Sequence, residues 1–317
     1  MVLQERVMSI SYVLKNRANL IAIFLCVVSV ALLGLISYNN QANYLHTSLQ
    51  GLADNQSRLF QSIIKADIEG LARAHTGIDK LDQLLKPFAS GKKDELLAAA
   101  QPLFNEIRQN NNITHMYFIK PDGTVFLRVH KPEESGDKLS RITYIKAAET
   151  KKIASGIEMG KNFFSLRSVK PVSYQGNPIG YMEVAEEIDH VFTRMKEVNG
   201  NDVSVFLTDD FLKSQVTHVQ GEKIGNFRLL YPTNKGASLR LAAQLIPAMQ
   251  SAQKQPAVTI VSSPECKIVV GMSPFIDASG HTVGILFSYK DVTPLFTAMW
   301  HGVVTNVLML SAIVLTA

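Results

Sequence analysis

Arg128, His130, Arg141, Glu158, Arg167, Tyr181 and Glu183 form a pattern suited to holding a solute. Arg128, Arg141 and Arg167 each carry a planar fork of donors that pairs bidentately with a carboxylate or phosphate. His130 adds a donor whose charge follows pH. Glu158 and Glu183, with Asp137, supply acceptors that can meet an amine on a guest or pair with the arginines and leave a satisfied polar core. A buried guanidinium requires a partner in either case. Arg128, His130, Arg141, Glu158, Arg167, Tyr181 and Glu183 are the predicted ligand contacts, and a small anionic solute is the expected guest.

Catalysis is not expected. The sequence shows no Gly-rich phosphate loop, nucleophile elbow or Cys–His pair, and no cofactor is called for. His115 and His130 fall on neighbouring predicted strands with Glu158 nearby, but tight His/Cys spacing is missing, so no metal is expected among them.

The element that positions these residues begins with VFLRVHKPEESGD, residues 125–137. Period-two alternation puts Phe126, Arg128 and His130 on one side and Val125, Leu127 and Val129 on the other. Residues 113–120 turn through Pro121, Asp122 and Gly123 into this strand, as a hairpin should. A helix over 139–151 follows, then strands over 153–159, 162–174 and 179–187, the last two joined by a turn at 175–178. The order strand, strand, helix and three strands is that of a PAS-like module. One face of its sheet gathers Leu127, Val129, Leu166, Met182 and Val184; the other gathers Arg128, His130, Ser165, Arg167, Tyr181 and Glu183.

Ahead of the module, apolar residues recur at three- and four-residue intervals over 42–85. They predict one long amphipathic helix, stopped by Pro87 and the Ser90–Gly91 pair. Its apolar stripe can back the sheet or pair with the same helix of a second chain. A second helix spans 94–109. Behind the module the pattern repeats: a short helix over 191–198, a strand over 202–208, a helix over 237–252, then strands over 257–261, 266–275 and 283–288. This second module lacks the Arg/His/Glu face and reads as a transmitter.

The ends are apolar. LIAIFLCVVSVALLGLISY, residues 20–38, is uncharged and about long enough to cross a bilayer. No small-x-small cleavage site follows, so it reads as an uncleaved helix. Arg6, Lys15 and Arg17 precede it, and the next basic residue is Arg58, which puts the amino terminus inside and residues 39–294 outside. Residues 295–317 form a second predicted span, with Trp300 near its entrance. That run stops at Ala317 without the basic cluster of a cytoplasmic exit, which predicts a longer receptor with its output downstream. A formal charge of +5 spread along 317 residues points to no nucleic-acid partner. With Cys26 in the membrane run and Cys266 alone outside it, no internal disulfide is available.

FLRVHKPEESGDKLSR, GIEMGKNFFSLRSVKPV and GNPIGYMEV together resemble the double Cache sensory domains of bacterial transmembrane receptors, in particular the third double-Cache group. The resemblance implies an α+β fold: a long amino-terminal helix carrying two PAS-like antiparallel-sheet modules between two transmembrane helices. It divides the chain into a cytoplasmic segment (1–19), a first span (20–38), helices (39–110), a membrane-distal module (111–199), a membrane-proximal module (200–294) and a second span (295–317). It further implies residence in the bacterial inner membrane, a periplasmic ectodomain, a homodimer through the long helix and membrane helices, and a solute bound in the distal module. Control would pass to a chemotaxis, kinase or diguanylate cyclase output. The motif positions it marks include Arg128, His130, Asp137, Arg141, Glu158, Arg167 and Glu183. The amino-acid signature of the best-studied double Cache group, an Arg followed by Trp-Tyr, is not evident. A membrane-tethered solute-binding or scaffold protein without its own output is the alternative.

Overall fold

The computed structural model describes residues 24–44, 47, 49–160, 163–214 and 220–316. The expected cytoplasmic segment and the first four residues of the expected first span lie outside them. Helix α1 (Phe24–Tyr44) is, among the described residues, the one helix long and apolar enough to cross a membrane. The expected second span does not pass that test, although its residues do form a helix.

Of the single long helix expected over 42–85, residues 42–44 belong to α1, residues 45, 46 and 48 lie outside the described residues, and from Leu52 on there are two helices with a break between them. Helix α2 (Leu52–Ile78) buries Phe60, Ile63, Ile64, Leu71 and Ile78 along one stripe. The chain then turns at Asp79 and Lys80, and Leu81 is extended (φ −87°, ψ 99°) before helix α3 (Asp82–Ala89). Asp79, at the break, is held by an ion pair with Lys170. Pro87 lies inside α3, and the chain leaves the helix at Ser90 and Gly91, where Gly91 takes a left-handed φ of +70°. Helix α4 (Lys93–Asn111) ends on Asn112 in the left-handed conformation, which asparagine tolerates.

Strands β1 (His115–Ile119) and β2 (Val125–Arg128), helix α5 (Ile142–Thr150), and strands β3 (Ala154–Met159), β4 (Phe164–Tyr174) and β5 (Asn177–Glu187) follow in the expected order. They build an antiparallel sheet ordered β2-β1-β5-β4-β3. The β4–β5 turn places Gln175 (φ 50°) and Gly176 (φ 82°) at positive φ, the hairpin geometry that matches strand twist. Leu127, Val129, Leu166, Met182 and Val184 form one core with the α2 stripe, on the face read from alternation.

A register shift between Phe118 and Ile119 alters the alternation expected in β2. Val125 turns to the opposite side and joins Tyr117, Ile119, Tyr144, Val169 and Tyr181 in a small core under α5, while Phe126 packs on Phe88. One extra residue in a strand reverses facing beyond it. The face expected to be polar throughout is thus half apolar.

Helix α6 (Asp189–Asn199) leads to the second sheet, of β6 (Asp202–Thr208), β7 (Lys223–Ile224), β8 (Phe227–Leu230), β9 (Ala257–Ser262), β10 (Lys267–Ile276) and β11 (Thr282–Asp291). Helices α7 (Asp209–Ser214) and α8 (Lys235–Ala252) lie between its strands in sequence. The order is β7-β8-β6-β11-β10-β9. The α7 turn and the β7–β8 pair were not legible in alternation, being too short to carry a period.

Two compact units emerge: Leu52–Thr259 with Val270–Lys290, and the two ends of the chain with Ile260–Val269. In the latter, α1 lies beside helix α9 (Thr293–Thr316): Asn306 Nδ2 donates to Ser37 Oγ (3.1 Å), and a Cβ on Gly34 would meet Val307 at 3.0 Å. In the former, the two sheets touch. The Ala278 N–H donates to the Ile157 carbonyl (2.7 Å), and a Cβ on Gly156 would strike Ala278 at 2.7 Å, so glycine is needed for that approach.

Candidate functional site

The polar half of the first sheet, opposite α2, walls a cavity of about 250 Å³. Arg128 from β2, Arg141 from the start of α5 and Arg167 from β4 converge on it, with His130 at the end of the β2 segment. All four were expected from sequence. His115, Tyr117, Lys131, Glu134, Ser165 and Glu187 also line it. Ser165 was placed on this face from alternation. Tyr117 and Glu187 were missed, yet strand pairing finds them: Tyr117 lies opposite Arg128, and Glu187 opposite Ser165.

The arginines are not equally committed. Arg128 makes a two-pronged pair with Asp137, Nη1 to Oδ1 and Nη2 to Oδ2, both at 2.7 Å, and also donates to the Glu134 carbonyl. Arg141 and Arg167 share a single carboxylate oxygen, Glu183 Oε1, at 2.5 and 2.6 Å. Arg141 also donates to the Tyr117 hydroxyl (3.2 Å) and stacks over its ring at 4.8 Å. Arg167 Nη2 reaches Ser165 Oγ only at 3.4 Å, and its buried Nε has no partner. Two cations against one anion leave this trio one positive charge in excess.

Burial works to raise the Glu183 carboxyl, but the Arg141 and Arg167 charges outweigh it and hold the group below the ordinary carboxylate value. Burial likewise opposes the Arg141 charge, and Glu183 and Tyr117 more than restore it. Burial, with His130 and Arg167 alongside, lowers His115 to about 3. Burial lowers His130 to about 4, the Arg128 charge adding to the fall, and its Nδ1 accepts the Met116 N–H (3.4 Å). The two rings meet edge to face, 4.6 Å between centroids. At neutral pH both are uncharged, and their proton positions are set by neighbours.

Three predicted contacts stand elsewhere. Glu158 accepts the backbone N–H groups of Ile142 (3.0 Å) and Thr143 (2.6 Å) and so caps α5, whose own N-cap residue supplies no side-chain bond. Tyr181 packs on Tyr144, and its hydroxyl takes a bond from Lys151 (3.0 Å). Glu183 sits behind the arginines it neutralises. The first two follow from α5, whose placement over the sheet no strand pattern shows.

The family model described as the double sensory domain of two-component sensor kinase, dCache_3, matches residues 54–225. Among curated proteins no match is found. Among solved structures, the sensory domain of the Campylobacter jejuni chemoreceptor Tlp3 with isoleucine bound aligns at 12% identity and TM-score 0.51, covering 81% of this chain and 96% of that one. The ligand-binding domain of the same receptor with L-valine gives 11%, 0.50, 81% and 96%. The Vibrio cholerae histidine kinase DctB sensor domain gives 13%, 0.46, 77% and 97%. At such identities the Tlp3 likeness speaks for the fold alone.

Proposed function

The chain belongs to the dCache_3 family of double sensory domains, and from that premise we propose that it is the extracytoplasmic ligand-sensing part of a bacterial transmembrane receptor, taking a small solute with a carboxylate or phosphate in the first-sheet cavity. The observation that carries this reading is the Arg141–Glu183–Arg167 trio, one positive charge in excess, beside a cavity of about 250 Å³. Cavities for drug-sized ligands run about 300–1,000 Å³, so the expected guest is smaller.

Glu187 supports a second reading. It lines the same cavity as the three arginines, so an amino acid could place its carboxylate on the arginines and its ammonium toward Glu187. The Tlp3 domain has isoleucine or valine bound on a similar fold.

A route toward the second sheet starts at the cavity wall. Phe163 lines the cavity, and the next residue is tied down: the Phe164 N–H donates to the Tyr231 hydroxyl (2.9 Å), and its ring meets Phe275 edge-on at 5.3 Å. A ligand shifts such a pair of modules only by preferring one of two arrangements, and helix displacements of ~1–2 Å suffice in comparable switches. In this reading α1 and α9 both span the inner membrane, residues 39–294 are periplasmic, and two copies pair through α2 and the membrane helices. The six segments set out from the sequence, with the 111–199 module distal, complete it.

The test is thermal unfolding of the full chain in detergent against organic acids, phosphates, amino acids and simple amines. A ligand at 100 times its Kd adds about 2.7 kcal/mol of stability. Acids or amino acids are expected to raise Tm, and Arg167→Ala to abolish the rise in a protein that still folds. Stabilisation by amines alone would overturn the arginine-centred site. Turnover of a stabilising solute would replace sensing by catalysis.

A further inference from the structure

On the opposite face of the first sheet, Asp67 of α2, Glu186 of β5 and His190 of α6 bring one nitrogen and two carboxylate oxygens within 4.8 Å of one another. We propose that these three residues bind one divalent transition-metal ion of the zinc class, with water completing the coordination. The donors are already arranged for it. His190 Nδ1 lies 2.8 Å from the Glu187 carbonyl, which can only accept, so Nδ1 carries a proton and Nε2 faces Asp67, where an ion would displace the proton that the Asp67 carboxylate favours there. Metal-binding histidines are commonly oriented by such a second hydrogen bond.

His190 Nε2 lies 3.4 Å from Asp67 Oδ2, about the spacing of two ligands on a tetrahedral ion with bonds of ~2.0–2.1 Å. Neither Asp67 Oδ2 nor Glu186 Oε1 has a hydrogen-bond partner, although both are buried and Glu186 is only 5% exposed. Half-buried Asp67 and buried Glu186 set two carboxylates side by side, an arrangement that favours positive charge between them. Arg194 approaches Asp67 from the solvent side, at 3.8 Å from Oδ1, and leaves Oδ2 to the cluster.

Imidazole with two carboxylates suits zinc-class ions, whereas calcium asks for six to eight oxygens and magnesium for a near-ideal octahedron. The ion would fasten α2 to the β5–α6 junction. Glu187, next in sequence to Glu186, points the other way into the solute cavity, so the same strand end is held from behind and read from in front.

The experiment uses the full chain in detergent, stripped with chelator and dialysed against zinc chloride, with metal content, Tm and the visible spectrum of the cobalt-substituted protein as readouts. One zinc per chain, a higher Tm than in chelator and a cobalt spectrum of low coordination number are expected. Glu186→Gln and His190→Gln should each lose the zinc while keeping the wild-type circular dichroism, and His130→Gln should retain it. The proposal is overturned if the wild type holds no zinc, if folded Glu186→Gln and His190→Gln hold as much as wild type, or if calcium or magnesium gives the same stabilisation. Should both variants unfold, the wild-type cobalt spectrum decides: bands of a six-coordinate, all-oxygen ion overturn the proposal.

Discussion

Replacing Glu183 with glutamine keeps the shape of the side chain and removes the one charge that Arg141 and Arg167 share. Glu183 is fully buried, the Arg167 side chain is 3% exposed and that of Arg141 19%. At an effective dielectric of about 20, unit charges about 4 Å apart interact by about 4 kcal/mol, so the carboxylate has roughly 8 kcal/mol of gross attraction from two neighbours. Desolvation of the three ions offsets much of this. Removing one member of a buried pair nonetheless costs about 3–5 kcal/mol, because the survivor stays buried and unpaired. Arg141, 19% exposed, recruits water more readily than Arg167, 3% exposed, which places the expected loss near 4 kcal/mol. At about 2–4 °C per kcal/mol for a domain of this size, Tm of the detergent-solubilised chain should fall by roughly 8–16 °C. Circular dichroism melts measure it, and an acid that binds the cavity should return part of the loss. The pH sign follows from the lowered Glu183 value: its contribution is fully present above the ordinary 4.5 and disappears as pH falls through the lower folded value. A Glu183→Gln loss under about 1 kcal/mol at pH 7 would refute the shared-carboxylate reasoning.

Buried neutral histidines give a second acid sensitivity at higher pH. His75, His115 and His130 are held at about 4, 3 and 4, against 6.5 in the unfolded chain, chiefly by burial. The contribution of these three histidines should be constant above pH 6.5 and fall below it by about 1–2 kcal/mol per histidine by pH 5, at about 1.4 kcal/mol per unit; a flat Tm from pH 7 to 5 would contradict it. Glu158→Ala removes the cap of α5 and should cost about 0.5–2 kcal/mol in urea unfolding. It should leave the response to stabilising solutes intact, and loss of that response at unchanged stability would return Glu158 to the site.

Arg128, His130 and Arg167 were legible because period-two alternation and charge type are local properties; Arg141, in a predicted helix, was singled out by its charge alone. The two-module order was legible for the same reason, since strands of five to eleven residues carry their own pattern. The hinge at Asp79 was not. The apolar period continues through it, and only the ion pair with Lys170, 91 residues away, accompanies the break. Facing at Val125 and Phe126 also lay outside the local pattern, because a bulge is a property of two paired strands.

Composition and spacing by themselves determined that an antiparallel sheet follows an apolar amino-terminal helix and that arginine marks its polar face. Tertiary structure alone decided which carboxylate each arginine takes, that Glu158 caps a helix, and that Asp67, Glu186 and His190 meet across three elements. The reason is distance along the chain: hydrophobic period is written in neighbours two to four residues apart, whereas these pairings join groups from nine to more than a hundred residues apart, and only packing brings them within reach.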